Sequence, residues 1–445
     1  MPRATLLTAR PSLRRLPTRA SQVVQDGVRH LLPAVFAGQR LQRDTSSAAT
    51  HLLEQISASR RGECNLLIAF RHPSPRDPLV LADLFWNALP REARRQGLGK
   101  QRPIQLRFLY DRGIPLWAGP IIGWLLQRSG GIAIHRGRLD RPALKQARES
   151  LSQGRYPLVV APEGATNNLS EEMAPLEPGV AQLAFWAATD MATGHDQRDV
   201  HIVPVGIRYS WRRPNWSRVD ARLKQLELHL GLNQNPSKDR RERLLDLGMT
   251  LLSALEQLER IKPGQDQTMA DRIAAYRLHG LQKGESHFGL RASGTLQERC
   301  RRIEQAGWDR IYRDNLDQLS PLERSLADWE AREADQQLTH MRLVEHFTSI
   351  SGHYIKDQPS FDRFAEMVEL LEEAIGWIED KPWHGRPSFG PQKVVISVAK
   401  PIAVQQRLAG YQRNRRQAVQ ELTSDLQEEL ETLMTMKIPS TKTAT

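Results

Sequence analysis

Cysteine is almost absent from this chain. Cys64 and Cys300 are the only two in 445 residues, which excludes a disulfide framework and a multi-cysteine zinc site. A reducing cytoplasm is the simplest home for two unpaired thiols. No stretch approaches ~18 uninterrupted apolar residues, so no membrane-spanning helix is expected. Aromatic residues make up only 6% of the chain and no nucleic-acid-binding motif is present. Base-stacking platforms, and with them a nucleic-acid partner, are therefore not expected. Acidic residues are missing before Asp26, a stretch that carries Arg3, Arg10, Arg14, Arg15 and Arg19. Without the compact apolar block of a secretory signal, this reads as a basic arm, with an organelle transit peptide as the alternative. No internal repeat is visible.

What the chain does have is enough apolar residues, 40%, for a packed core. Lysine and arginine exceed acidic residues by 12, which favours a negatively charged partner such as anionic lipid or a phosphorylated substrate. Short apolar runs at 65–70, 104–109, 131–134, 157–161 and 201–207 are bounded by Gly, Pro or charge and read as buried strands. Helical patterns fall between them at 78–95, 115–128, 141–153 and 177–190, and another covers 21–57. This alternation predicts an α/β domain with a mostly parallel central sheet flanked by helices. After Trp216 only helical patterns remain, at 218–260, 268–280, 295–306, 321–348 and 361–380, until one strand at 393–399 and a last helix at 403–436. A lone strand must pair somewhere, so it is expected to return to the first sheet. The large all-helical block before it is then an insertion. The expected organisation is a basic arm and helix at 1–57, an α/β core at 58–215, a helical insertion at 216–388, and the returning strand and C-terminal helix at 389–445.

Three segments can carry chemistry. Arg71-His72-Pro73-Ser74-Pro75-Arg76-Asp77-Pro78 follows a strand, and its prolines force a loop. Such a loop can fold Asp77 back onto His72, fixing one ring nitrogen and leaving the other as a general base. Equally, Asp77-Pro78 can be a plain helix cap with a first-turn proline. Gly130 to Arg138 delivers arginines into a glycine-flanked turn, suited to a phosphate or to solvent. Ala161-Pro162-Glu163-Gly164-Ala165-Thr166-Asn167-Asn168 follows another strand. Ligands of open α/β sheets sit beyond strand carboxyl ends, and these side chains can hydrogen-bond a polyol or simply cap a loop.

In that order, His-x-x-x-x-Asp, Gly-Ile-x-Ile-x-Arg, Pro-Glu-Gly and Val203-Pro204-Val205 resemble the glycerolipid acyltransferase family, the lysophosphatidate acyltransferases and their glycerol-3-phosphate relatives. The segment Pro115 to Arg136 and the strand Val395 to Ile402 are similar to that family as well. The resemblance covers about residues 63–210 and the return strand. It implies His72 as general base, Asp77 as its orienter, Arg136 as ligand of the acceptor's phosphate, and Glu163, Gly164 and Asn168 as shaping the acceptor pocket. Pro204 would support the site. Many members carry Thr-Arg after Pro-Glu-Gly; Ala165 and Thr166 stand here, and Asn167-Asn168 look like the Asn-ending version of the motif.

The resemblance implies an O-acyltransferase moving a fatty acyl group from acyl-carrier protein or acyl-CoA to a glycerol-phosphate lipid, 1-acylglycerol-3-phosphate foremost. It implies no cofactor. His135, His195 and His201 lack partners at metal-ligand spacing, so no metal is expected. A cytoplasmic protein, peripheral on an anionic membrane, fits the charge. The stretch Ile114 to Leu126, with Trp117 and Trp124, either dips into the headgroup region or packs as a buried helix. The alternatives in function are a catalytically degenerate module that binds lipid or a partner, and a hydrolase using the same His-Asp pair on water.

Overall fold

The computed structural model describes residues 7–13, 15–99, 102–135, 139–233, 237–350, 353–356, 359–379 and 389–435. It divides into two compact units. One is α/β, built from Arg15–His135, Asp140–Arg213 and Gly390–Thr445; the other is helical, centred on Pro214–Phe389.

In chain order the strands are β1 (Arg10–Pro11), β2 (Leu41–Asp44), β3 (Cys64–Phe70), β4 (Arg107–Asp111), β5 (Gly131–Ile134), β6 (Leu158–Val160), β7 (Asp199–Trp211), β8 (Tyr312–Arg313), β9 (Gln392–Val398) and β10 (Ile402–Ala403). The sheet of the α/β unit runs β2-β9-β7-β3-β6-β4-β5, with β10 beside β7. From β7 to β5 every pairing is parallel. β9 returns antiparallel to β7, and β2 runs parallel to β9. The strand at 393–399 thus comes back to the first sheet, as its unsatisfied edges demand.

β3 lies at the centre with all seven residues buried, because a parallel strand covered on both faces reads as a continuous apolar run. Its alternation splits the core in two. Leu66, Ile68 and Phe70 face one cluster with Val203, Val205, Ile207 and Tyr209. That side is covered by α1 (Gln22–Gly38), α2 (Ser46–Arg60), α3 (Asp77–Asp83), a π-helical segment (Leu84–Ala88) and α4 (Leu89–Arg95). Leu67 and Ala69 face the other cluster. Over it lie α7 (Arg141–Gln153), α8 (Gly179–Thr193), α15 (Leu408–Arg413) and α16 (Arg415–Thr435). Between β4 and β5 run α5 (Ile114–Ala118) and α6 (Pro120–Ser129).

The helical unit holds α9 (Trp216–His229), α10 (Arg240–Leu258), α11 (Met269–Phe288), α12 (Leu296–Ile311), α13 (Pro321–Ser349) and α14 (Phe361–Ile378). Their starts follow from local chemistry. Asp239/Glu242, Thr268/Asp271, Thr295/Glu298 and Ser320/Glu323 each form a reciprocal capping box at the head of α10 to α13. Helices α10, α11 and α13 are also tied electrostatically. Glu259 accepts from Lys283 at 2.8 Å, with His279 at 3.3 Å and His340 at 3.2 Å. Residues 7–13, part of the expected basic arm, are held within this unit. β1 pairs with β8, Ala9 is buried, and its N–H donates to Asp328 at 2.8 Å.

Three expectations need correction. The single helix at 21–57 is two, α1 and α2, separated by β2. Arg40 turns the chain there in the left-handed region at φ 51°, and the polar sequence Leu-Gln-Arg-Asp gains its ladder only from distant β9. The helix at 218–260 breaks after His229, where Gly231 takes φ 70°. The helix at 403–436 begins as β10 and is interrupted between α15 and α16 at Asn414, whose extended backbone caps α15 and whose carbonyl accepts from Ala418. Among the described residues no helix is long and apolar enough to cross a membrane.

Candidate active site

His72 leaves the carboxyl end of β3, the rim at which ligands of parallel sheets are held. Its backbone is seated first. Arg71 N–H extends the β3–β7 ladder to Val205 O at 2.9 Å, and His72 N–H donates to Glu163 Oε1 at 2.7 Å. The ring then packs edge-on to Phe70, 5.4 Å between centroids. The loop through Pro73 and Pro75 brings Asp77 around, and Nδ1 of His72 lies 2.8 Å from Asp77 Oδ2. A carboxylate only accepts, so the Nδ1 proton sits on this bond and Nε2 is left for another partner. The Asp77 side chain is fully buried, whereas His72 keeps one-fifth of its side chain exposed.

Asp77 is not a helix cap. It is the first residue of α3, and Arg76 occupies the cap position. Its carboxylate takes three donors instead: His72, the Ser74 N–H at 2.9 Å and the Tyr209 hydroxyl at 2.6 Å. Three hydrogen bonds satisfy a buried charge that would otherwise be costly. Ser74 Oγ accepts from Arg76 N and Nε, both at 3.3 Å, so this hydroxyl is engaged away from the imidazole.

Tyr209 was missed by the sequence reading, which ended its strand at 207. The signal was present, since Val203, Val205, Ile207, Tyr209 and Trp211 alternate with Pro204, Gly206, Arg208 and Ser210 at the strand period. The phenol is buried, with Arg76 over its ring at 4.6 Å. Burial first, and the Asp77 charge second, hold its pKa well above the usual value. It therefore stays a donor to Asp77 throughout the neutral range. Burial likewise pushes Tyr110 up to about 12. Both pKa values are raised on folding, so the stability they carry is full below the unfolded tyrosine value of about 10 and is lost as pH rises beyond it. A thermal-melt series should show Tm falling above about pH 10, and Tyr209→Phe should flatten that fall.

Glu163 and Gly164 were expected to shape an acceptor pocket. Glu163 is fully buried and turned inward; besides His72 N–H it accepts from Ala174 N–H at 3.1 Å. The carboxylate thus fastens the His72 backbone to the loop after β6. Gly164 sits at φ 71°, in the left-handed region that a side chain disfavours. Asn168 also has positive φ, 62°, which asparagine tolerates. Its Oδ1 is buried without a hydrogen-bond partner. Arg136 lies outside the described residues. From the other direction Arg71, fully buried, donates through Nη2 to Leu169 O at 2.6 Å and to Glu172 O. Arg71 and Glu163 therefore clamp the loop and the chain at His72 together from both sides. The structure brings together His72, Asp77 and Glu163, and adds Tyr209 and Arg71.

Neither thiol competes as a nucleophile. Both cysteines are buried; burial raises Cys64 to about 11 and Cys300 further still.

Residues 49–208, from within α2 to near the end of β7, match the family model Acyltransferase. That segment of the α/β core is similar to an acyltransferase domain, in line with the resemblance carried by its motifs. The matched segment includes His72, Asp77 and Glu163 and stops one residue before Tyr209. Comparison with curated proteins and with solved structures gives no match. An acyltransferase domain gives the chain an acyltransferase role.

Proposed function

We propose that the protein transfers a fatty acyl group from a thioester, acyl-carrier protein or acyl-CoA, to a hydroxyl of a glycerol-phosphate lipid, 1-acylglycerol-3-phosphate foremost. The observation that carries this reading is the buried Asp77 carboxylate on His72 Nδ1, inside a matched acyltransferase segment. Nε2 of His72 takes the proton of the acceptor hydroxyl as its oxygen attacks the thioester carbonyl. The tetrahedral intermediate collapses by breaking the C–S bond, and the proton passes from His72 to the departing thiolate. The imidazolium formed in between is stabilised by Asp77, whose own charge is spread over Ser74 and Tyr209. No acyl-enzyme is needed, consistent with Ser74 being held by Arg76. Arg136 binds the acceptor's phosphate, and Asn168 with its unpartnered amide oxygen contacts the acceptor. Acceptor selection by phosphate works through proximity and orientation.

The test is a panel. Purified protein is offered labelled acyl-carrier protein and coenzyme A thioesters with glycerol 3-phosphate, its monoacyl form and other lysolipids in detergent micelles. A single preferred acceptor, ester product and free thiol in equal amounts are expected. Thioester loss with free fatty acid instead would make the protein a hydrolase, and no turnover by folded protein would favour the degenerate binding module.

A further inference from the structure

We infer that α5 and α6, with the chain segment laid against them, form the face by which the protein sits on an anionic lipid surface. The inference rests on the lipid acceptor proposed above. Helix α6 buries only Gly123. A Cβ at that position would lie 3.0 Å from the Pro115 ring and 3.4 Å from Leu16. The glycine thus lets α5 and residue 16 approach closely, and it turns the rest of the helix outward. Ile121 is 72% exposed, Trp124 47%, Leu116 39% and Ile122 38%. Large apolar side chains clustered on two short consecutive helices are costly in water and need a partner.

Charge identifies that partner. Between Asp111 and Asp140 there is no acidic residue, and there is none before Asp26. The two acid-free stretches are joined: Arg19 N–H donates to Gln127 O at 3.1 Å, Ser21 N–H to Arg128 O at 2.8 Å, and Gln25 to Ser129 O at 3.2 Å. Arg15 and Arg19 are exposed there, and Arg128 lies over the Trp124 ring at 5.9 Å. An apolar stripe bearing tryptophan, on two joined stretches that carry arginines and no carboxylate, with Asp26 beyond them paired to Arg29 at 3.1 Å, is complementary to lipid chains below and phosphate headgroups around. α5 follows β4, which runs parallel to β3 through β6, so it leaves the same carboxyl-end rim that bears His72. α6 then runs back to the start of β5, which is parallel to β4, so Leu116, Ile121 and Ile122 lie nearest that rim and a lipid surface there would face the side from which a lipid acceptor enters.

Vesicle sedimentation tests this with the full chain. Wild-type protein should pellet with phosphatidylcholine–phosphatidylglycerol vesicles, less with phosphatidylcholine alone, and less at high salt. The double variant Ile121→Ser/Trp124→Ser should bind the mixed vesicles at least about tenfold more weakly. It should still transfer acyl groups in detergent micelles, because the substituted side chains are exposed and outside the catalytic residues. Trp329→Ser, which removes a 54% exposed tryptophan of the helical unit, is the control and should bind as wild type. The inference is overturned if wild type ignores mixed vesicles or if the double variant pellets like wild type. It is also overturned if the double variant merely dissociates a dimer without weakening vesicle binding. Micellar transfer by wild type and variant alike tells a failed docking face from a failed catalytic assignment.

Discussion

Replacing His72 with alanine is expected to lower kcat for acyl transfer by about 10²–10⁴-fold, the usual contribution of a positioned general base. KM should change little, because the role proposed for the ring is to move the proton. Stability should be nearly unaffected, since the side chain is a rim residue with one-fifth of its surface exposed. Asp77 would keep its bonds from Ser74 N–H and Tyr209, so the loop should hold. Single-turnover kinetics with acyl thioester and acceptor, alongside a thermal melt, read both quantities. A variant with wild-type kcat would remove the base from the mechanism while leaving the fold intact.

The second large effect is expected at Glu163. Glu163→Ala leaves the part-buried N–H groups of His72 and Ala174 without an acceptor. A fully buried group of this kind costs about 1–3 kcal/mol, and for two part-buried ones the unfolding free energy should drop by about 2 kcal/mol or more, read from a denaturant titration. Activity should fall too, because the backbone that aims His72 loses its anchor. Glu163→Gln offers one carbonyl oxygen for the two donors and turns an NH2 group toward the other. It should lie between wild type and alanine in both stability and kcat. A direct substrate contact would behave differently, with a raised KM and unchanged stability.

The legible parts of this molecule were those whose pattern is local. The strands at 65–70, 131–134 and 157–161 agree closely with β3, β5 and β6, because buried parallel strands are short apolar runs between Gly, Pro and charge. The helices expected at 268–280, 295–306 and 321–348 start where α11 to α13 do, at capping boxes that lie within four residues of sequence, whereas the box that starts α10 fell unread inside 218–260. β2 was not legible. One leucine in four residues has no strand period, and the element exists through pairing with residues 351 positions away, at Gln392–Val395. At the site, the His72–Asp77 pair was readable because prolines forced a loop between them. The inward turn of Glu163 was not, since Pro-Glu-Gly gives no sign of which backbone amides will surround the carboxylate. Arg71 and Tyr209 were invisible as site residues for the same reason. Each acts across the sheet, one on the loop after β6 and the other on the first residue of α3.

The central claim is that Nε2 of His72, backed by Asp77, drives transfer rather than hydrolysis. The most direct measurement follows thiol release and ester formation together, in wild type and in Asp77→Asn. The account predicts equal amounts of thiol and ester for wild type, and both rates lowered together by about 10²–10⁴-fold in the variant. Thiol release without ester, or a variant as fast as wild type, would contradict it.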